Sequence, residues 1–216
     1  MDVPQLVQTV AIYALPVLFA ITLHEAAHGY VARHFGDMTA HAQGRISLNP
    51  ARHIDIVGTI VVPLIILLLS GGKFLFGWAK PVPVNYSALK RPRQHMAWVA
   101  AAGPGANLVM ALVWALLLKL AVVLPPNFFS MPLRLMGEAG IVVNLVFMFL
   151  NLLPILPLDG GRILASLLPH RAAWQYAKLE PWGVPLLLVL LVTNVLNFVL
   201  EPLVGASDAL IRAIVL

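Results

Sequence analysis

Apolar residues gather in five long blocks, at residues 6–31, 56–70, 95–123, 138–158 and 183–200, and most of the charge lies in the stretches between them. A helix that crosses a bilayer needs about 20 residues, with roughly 17–25 usual. Four of the blocks reach that length, some with interrupted ends. The block at 56–70 is shorter and runs out at Ser70-Gly71-Gly72. It is either a thin span or the first arm of a re-entrant hairpin returning through residues 74–84. The pattern predicts an all-α polytopic membrane helix bundle with about four to six membrane segments, one of them open to the re-entrant reading. No repeat, low-complexity tract or polar linker divides the chain, so a single domain over residues 1–216 is expected.

Basic residues orient the bundle. No Lys or Arg precedes Arg33, which places the N-terminus outside. Arg33, Arg45 and Arg52 mark one cytoplasmic loop, Lys90, Arg91 and Arg93 a second, and Arg162, Arg171 and Lys178 a third. The connection at 124–137 carries only Arg134 and reads as outside. Two consecutive basic loops flank residues 56–70, which favours the re-entrant reading.

Composition agrees: 60% of residues are hydrophobic, 11% are charged, and mean hydropathy is +0.89. A soluble domain averages about 25% charged residues, so the chain is expected to be integral to a membrane. Its net charge of +5 follows loop placement, and no basic cluster is interleaved with aromatics as a nucleic-acid groove requires. The first block lacks the basic flank and cleavage site of a signal peptide, and it is expected to stay in the protein. The absence of cysteine excludes disulfides, thiolate metal sites and cysteine nucleophiles.

The first block also holds His24-Glu25-Ala26-Ala27-His28. Residues four apart share a helix face, so both imidazoles can reach one metal ion while Glu25 stays nearby as a base. At this composition the pattern would arise by chance about 0.004 times per chain. The alternative is a pair of core histidines with a hydrogen-bonded glutamate, but ionisable groups within membrane segments are costly and default to function. Catalytic zinc usually takes three protein ligands and leaves one position open. The candidates for the third are His34, His41, His53, Asp55, His95, Asp159 and His170. Asp159 lies in Asn151-Leu-Leu-Pro154-Ile-Leu-Pro157-Leu158-Asp159-Gly160-Gly161-Arg162, where two prolines break the helix at a membrane edge. From the residues alone it is equally a ligand and an N-cap for a short helix at 162–168.

This combination resembles the site-2 protease family of intramembrane zinc metalloproteases. Asn49-Pro50 with His53-Ile54-Asp55, Gly58-Thr59, the stretch Gly77-Trp78-Ala79-Lys80-Pro81-Val82-Pro83-Val84-Asn85, and Gly103-Pro104-Gly105-Ala106-Asn107 also match. The resemblance runs from about residue 20 to residue 165 and implies that His24, His28 and Asp159 bind one zinc ion. It further implies Glu25 as general base and Asn151 as a group that holds the substrate or the developing oxyanion. Residues 103–107 would pack tightly beside the site. With neither a PDZ nor a CBS module, the sequence resembles the minimal branch, and regulation by such modules is not expected. The charge-derived topology brings His24, His28 and Asp159 to a similar depth near the cytoplasmic face. The implied partners are a lipid bilayer and a transmembrane protein substrate, with no nucleic acid, in a prokaryotic plasma membrane.

Two rivals from other classes stand beside the protease reading. One is a metal-binding scaffold or chaperone that does not cleave, against which Glu25 argues. The other is a small proton- or ion-coupled transporter, which broken helices would suit but which shows no inverted repeat. Blander roles are expected elsewhere. Asp55 reads as a helix cap or loop partner, His53 as a second group behind a ligand, and Gly103, Gly105 and Ala106 as packing contacts. Asn107 and Asn144 are expected to hydrogen-bond between helices, as are Thr193, Asn194 and Asn197 on the last span, with a substrate-gating face as the alternative for these three. The tryptophans mostly suit an interfacial belt, and residues 207–216 a surface amphipathic helix.

Overall fold

The computed structural model describes residues 3–62, 65 and 79–216, and these are helical and extended segments without a β-sheet. Long apolar runs with few helix breakers form three helices long enough to cross a membrane: α1 (Val3–His34), α2 (Pro92–Val123) and α3 (Ser130–Leu152). Their boundaries follow local chemistry. α1 ends on Arg33 and His34, which complement the negative end of the helix dipole. α2 starts with a proline in its first turn, where a missing N–H costs nothing. α3 stops at Leu152 because Pro154 follows, six residues short of the apolar block that predicts it. After that break come two short helices, α4 (Asp159–Leu167) and α5 (His170–Ala177). The chain finishes with α6 (Glu180–Val192) and α7 (Val195–Val215), which meet at an 80° bend and are together long and apolar enough for either a broken span or a re-entrant pair. Residues 207–216, expected as a separate surface helix, are largely the continuation of α7.

The core is built on α2, which packs on α3, α1 and α4. Ala111, Trp114, Ala115 and Leu118 of α2 meet Ile141, Leu145 and Met148 of α3 and Ile211 of α7. Trp114 is therefore a core residue, whereas Trp98, Trp174 and Trp182 are exposed as an interfacial belt requires. Trp78 lies outside the described residues.

Between α1 and α2 the chain forms a polar cap. Asn49 caps a short turn at Pro50–Arg52, and Asp55 accepts the Gly58 N–H at 2.7 Å to start a helical turn at Ile56–Val61. That is the capping role expected of Asp55. Residues 63, 64 and 66–70 of the 56–70 block and 74–78 of its proposed return lie outside the described residues. At 79–85 the chain is an extended strap. Lys80 N–H donates to His53 O at 2.9 Å, and Arg45 donates to the carbonyls of Lys80 and Pro81. At the far end, Asn85 N–H donates to Asp37 Oδ2 at 2.6 Å.

Candidate metal centre

His24 and His28 lie one turn apart on the buried face of α1, their rings 4.7 Å between centroids and nearly perpendicular. Each ring is fixed from behind. His24 Nδ1 lies 2.6 Å from Asn107 Oδ1, and His28 Nδ1 lies 2.7 Å from the carbonyl oxygen of Val99. A carbonyl can only accept, so each Nδ1 carries the hydrogen. The neutral rings then present bare Nε2 lone pairs on the opposite side.

Both lone pairs face Asp159. Its Oδ2 is 3.1 Å from His24 Nε2 and 3.4 Å from His28 Nε2. Asp159 is the first residue of α4, and no side chain caps that helix. The capping alternative therefore fails, and the carboxylate points at the histidines. To bring it there α4 must fold back on the end of α3. A Cβ at Gly160 would stand 2.2 Å from Leu152 O, and one at Gly161 would stand 2.6 Å from the Ile155 carbonyl carbon. No residue but glycine fits either position.

Asp159 Oδ2 is buried and has no hydrogen-bond donor. Two lone pairs and a carboxylate oxygen turned toward one another are unfavourable unless a metal ion or a shared proton lies between them. Ligand bonds of about 2.0–2.1 Å in a tetrahedral site put neighbouring donor atoms about 3.3 Å apart, close to the observed separations. The donor set of two imidazoles and a carboxylate also suits zinc with one position left open. Among the described residues, His24, His28 and Asp159 are the one group of three whose ligand atoms converge in this way. His34, His41, His53, Asp55, His95 and His170 do not join it. His53 is buried in the loop, with Nε2 2.8 Å from Ser47 O.

The three groups open onto a cavity of about 830 Å3 that is also lined by Glu25, Asn151, Arg162, the strap and apolar residues of α6 and α7. Glu25 Oε2 accepts the Val82 N–H at 2.8 Å. Asn151 reaches the same cavity, with its amide donating to Phe147 O one turn back at 3.0 Å.

Two features of the centre escape the motif. Gly103 forms its floor: a Cβ there would lie 2.5 Å from His28 Nε2 and 2.6 Å from His24 Nε2. Gly105 corrects the expectation of a packing contact, since its Cβ would meet nothing within 4 Å. Asn107 does more than join helices, because it holds a ring of the motif itself. A lone asparagine in an apolar run signals a hydrogen bond but does not name the partner.

The chain is 39% identical over 202 residues to "Putative zinc metalloprotease YwhC" of Bacillus subtilis (strain 168), covering 92% of this chain and 88% of that protein. It is 31% identical over 184 residues to "Putative zinc metalloprotease Rip2" of Mycolicibacterium smegmatis, covering 83% of this chain and 66% of that protein. Rip2 of Mycobacterium tuberculosis (strain H37Rv) is 32% identical over 187 residues. No family model and no solved structure matches the chain.

Proposed function

The chain belongs to the family of these bacterial zinc metalloproteases, and from that premise we propose that it is an intramembrane zinc endopeptidase. It would cleave a peptide bond in or near a transmembrane helix of a membrane-protein substrate. The observation that carries this reading is the convergence of His24 Nε2, His28 Nε2 and the donorless Asp159 Oδ2 on one point within an apolar helix bundle. These three residues would hold one zinc ion. When bound, zinc supplies a Lewis acid that acidifies water and polarises a carbonyl.

The remaining chemistry falls to the chain. Glu25 takes the proton from the attacking water and passes it to the leaving amine. A carboxylate that faces the cavity beside the ligands without being one of them favours an enzyme over a scaffold that only stores metal. Asn151, on the same wall, would hold the substrate carbonyl or donate to the developing oxyanion. The apolar lining from Val146, Leu150, Leu187 and Leu191 suits side chains of a membrane segment. A helical substrate must unwind locally, because its scissile carbonyl is otherwise engaged four residues on. The loop charges put the active site toward the cytoplasmic side of a prokaryotic plasma membrane, where water for hydrolysis is available. One domain over residues 1–216 would then carry the whole catalytic apparatus.

The test is zinc content of the detergent-purified chain, together with cleavage of a transmembrane peptide panel. Wild type and Glu25→Gln should each retain about one zinc, while His24→Ala and Asp159→Ala should lose it. Glu25→Gln should cleave about 10²–10⁴-fold more slowly than wild type. Zinc bound as well by Asp159→Ala as by wild type would refute the ligand set. Cleavage unaffected in Glu25→Gln would refute the assignment of the base.

A further inference from the structure

Four buried hydrogen bonds run from the back of His24 through the helix bundle. Asn144 Nδ2 donates to Gly140 O at 2.8 Å, one turn back on α3. That fixes which way the Asn144 amide faces and leaves its Oδ1 to accept Asn107 Nδ2 at 3.1 Å. Asn107 Nδ2 spends its other hydrogen on Ala20 O of α1, at 3.2 Å. With both amide hydrogens committed, the Asn107 oxygen can only face His24 Nδ1, at 2.6 Å. Asn107 and Asn144 have no exposed surface. The amide thus grips α1 at two points one turn apart, the Ala20 carbonyl and the His24 ring.

We infer that Asn107, held by Asn144, is a positioning residue that sets the tautomer and ring orientation of His24 for metal binding. The inference rests on the zinc reading above. Its physical basis is that an imidazole can ligate through either nitrogen, and the partner of the other nitrogen decides which. His28 is served by a backbone carbonyl, which no side-chain substitution removes. His24 depends on a side chain whose own orientation is imposed from a third helix. The ligand set is therefore complete only when α1, α2 and α3 are docked, and docking selects the Nδ1–H form of His24. Unpaired amides in hydrocarbon would be costly, so the same bonds also favour association of the helices.

The experiment uses the full chain in detergent and reads two properties besides activity. Zinc affinity is measured by chelator competition, and the His24 ring nitrogens are observed by 15N NMR in the metal-free protein, assigned by their loss in His24→Ala. Wild type should show one tautomer, with hydrogen on Nδ1. Asn107→Ala should show both and should bind zinc about 10–100-fold more weakly. Asn144→Ala, which leaves the Asn107 amide with one anchor, should move both readouts in the same direction by less. A role confined to packing would lower thermal stability without changing the tautomer. An unchanged tautomer or an unchanged zinc affinity in Asn107→Ala would overturn the inference. If that variant does not fold, the same result in Asn144→Ala would do so. Failure of wild type to bind zinc would instead overturn the metalloprotease reading.

Discussion

Two pairs of asparagines sit in apolar stretches of this chain and do opposite things. Asn107 and Asn144 are wholly buried and bond across α1, α2 and α3. Asn194 and Asn197 are exposed and bond to each other at 2.7 Å, while Thr193 returns its hydroxyl to Val189 O on its own helix. The expectation that the last span uses these groups for interhelix bonds is therefore corrected. Asn194 has φ of 61°, the left-handed conformation that asparagine tolerates better than most residues. The three groups build the 80° bend between α6 and α7. An amide in an apolar run thus serves as a clamp where a neighbouring helix presents a partner, and as a hinge where the backbone turns to meet it.

The sharpest way to break this comparison lies at the floor of the clamped region. Gly103→Ala would drive a methyl group into both Nε2 atoms, and zinc binding should be lost. Gly105→Ala, two residues on and facing open space, should bind zinc like wild type. Zinc content of the two variants checks the pair, and equal retention would mean that α2 can withdraw from α1. The hinge should respond differently. Asn194→Leu forces a branched side chain into the left-handed region at a cost of about 1–2 kcal/mol, whereas Asn194→Gly should be tolerated. Thermal unfolding in detergent measures the cost. Zinc affinity should not change in either variant, since no metal ligand lies on α6 or α7.

The smallest expected effect is at the polar cap. Burial pushes the Asp37 carboxyl up, but N–H groups of Thr39 and Asn85 outweigh it and hold the group below the usual carboxylate value. A lowered value favours the folded state at neutral pH. That contribution is lost as pH falls below about 4 toward the folded-state value. Asp37→Asn should remove this part of the acid destabilisation and leave the rest. Melting temperature followed from pH 7 to pH 3 reads the difference.

Much of the site was legible because it obeys local rules. The i, i+4 spacing puts His24 and His28 on one helix face in any fold. The prolines before Asp159 announce broken backbone where a ligand can stand. Asp55 read correctly as a cap for the same reason. What stayed illegible depends on which helix lies beside which. Asn107 could have met any neighbour, and nothing local distinguishes it from Asn197. The bond between Glu25 and the strap joins residues 57 positions apart, and an extended segment with two prolines carries no periodicity to show which face docks.

That strap is also a keyed joint. Pro81 and Pro83 have no N–H, so within this triplet only Val82 can donate to Glu25. A slip of one residue in either direction would present the carboxylate with a proline nitrogen. Gly29 deepens the slot, since a Cβ there would crowd Ile46 and Val82. The joint therefore has one engaged position and no neighbouring one to drift into. Insertions or deletions upstream must be taken up before Ala79, or Glu25 loses its partner altogether.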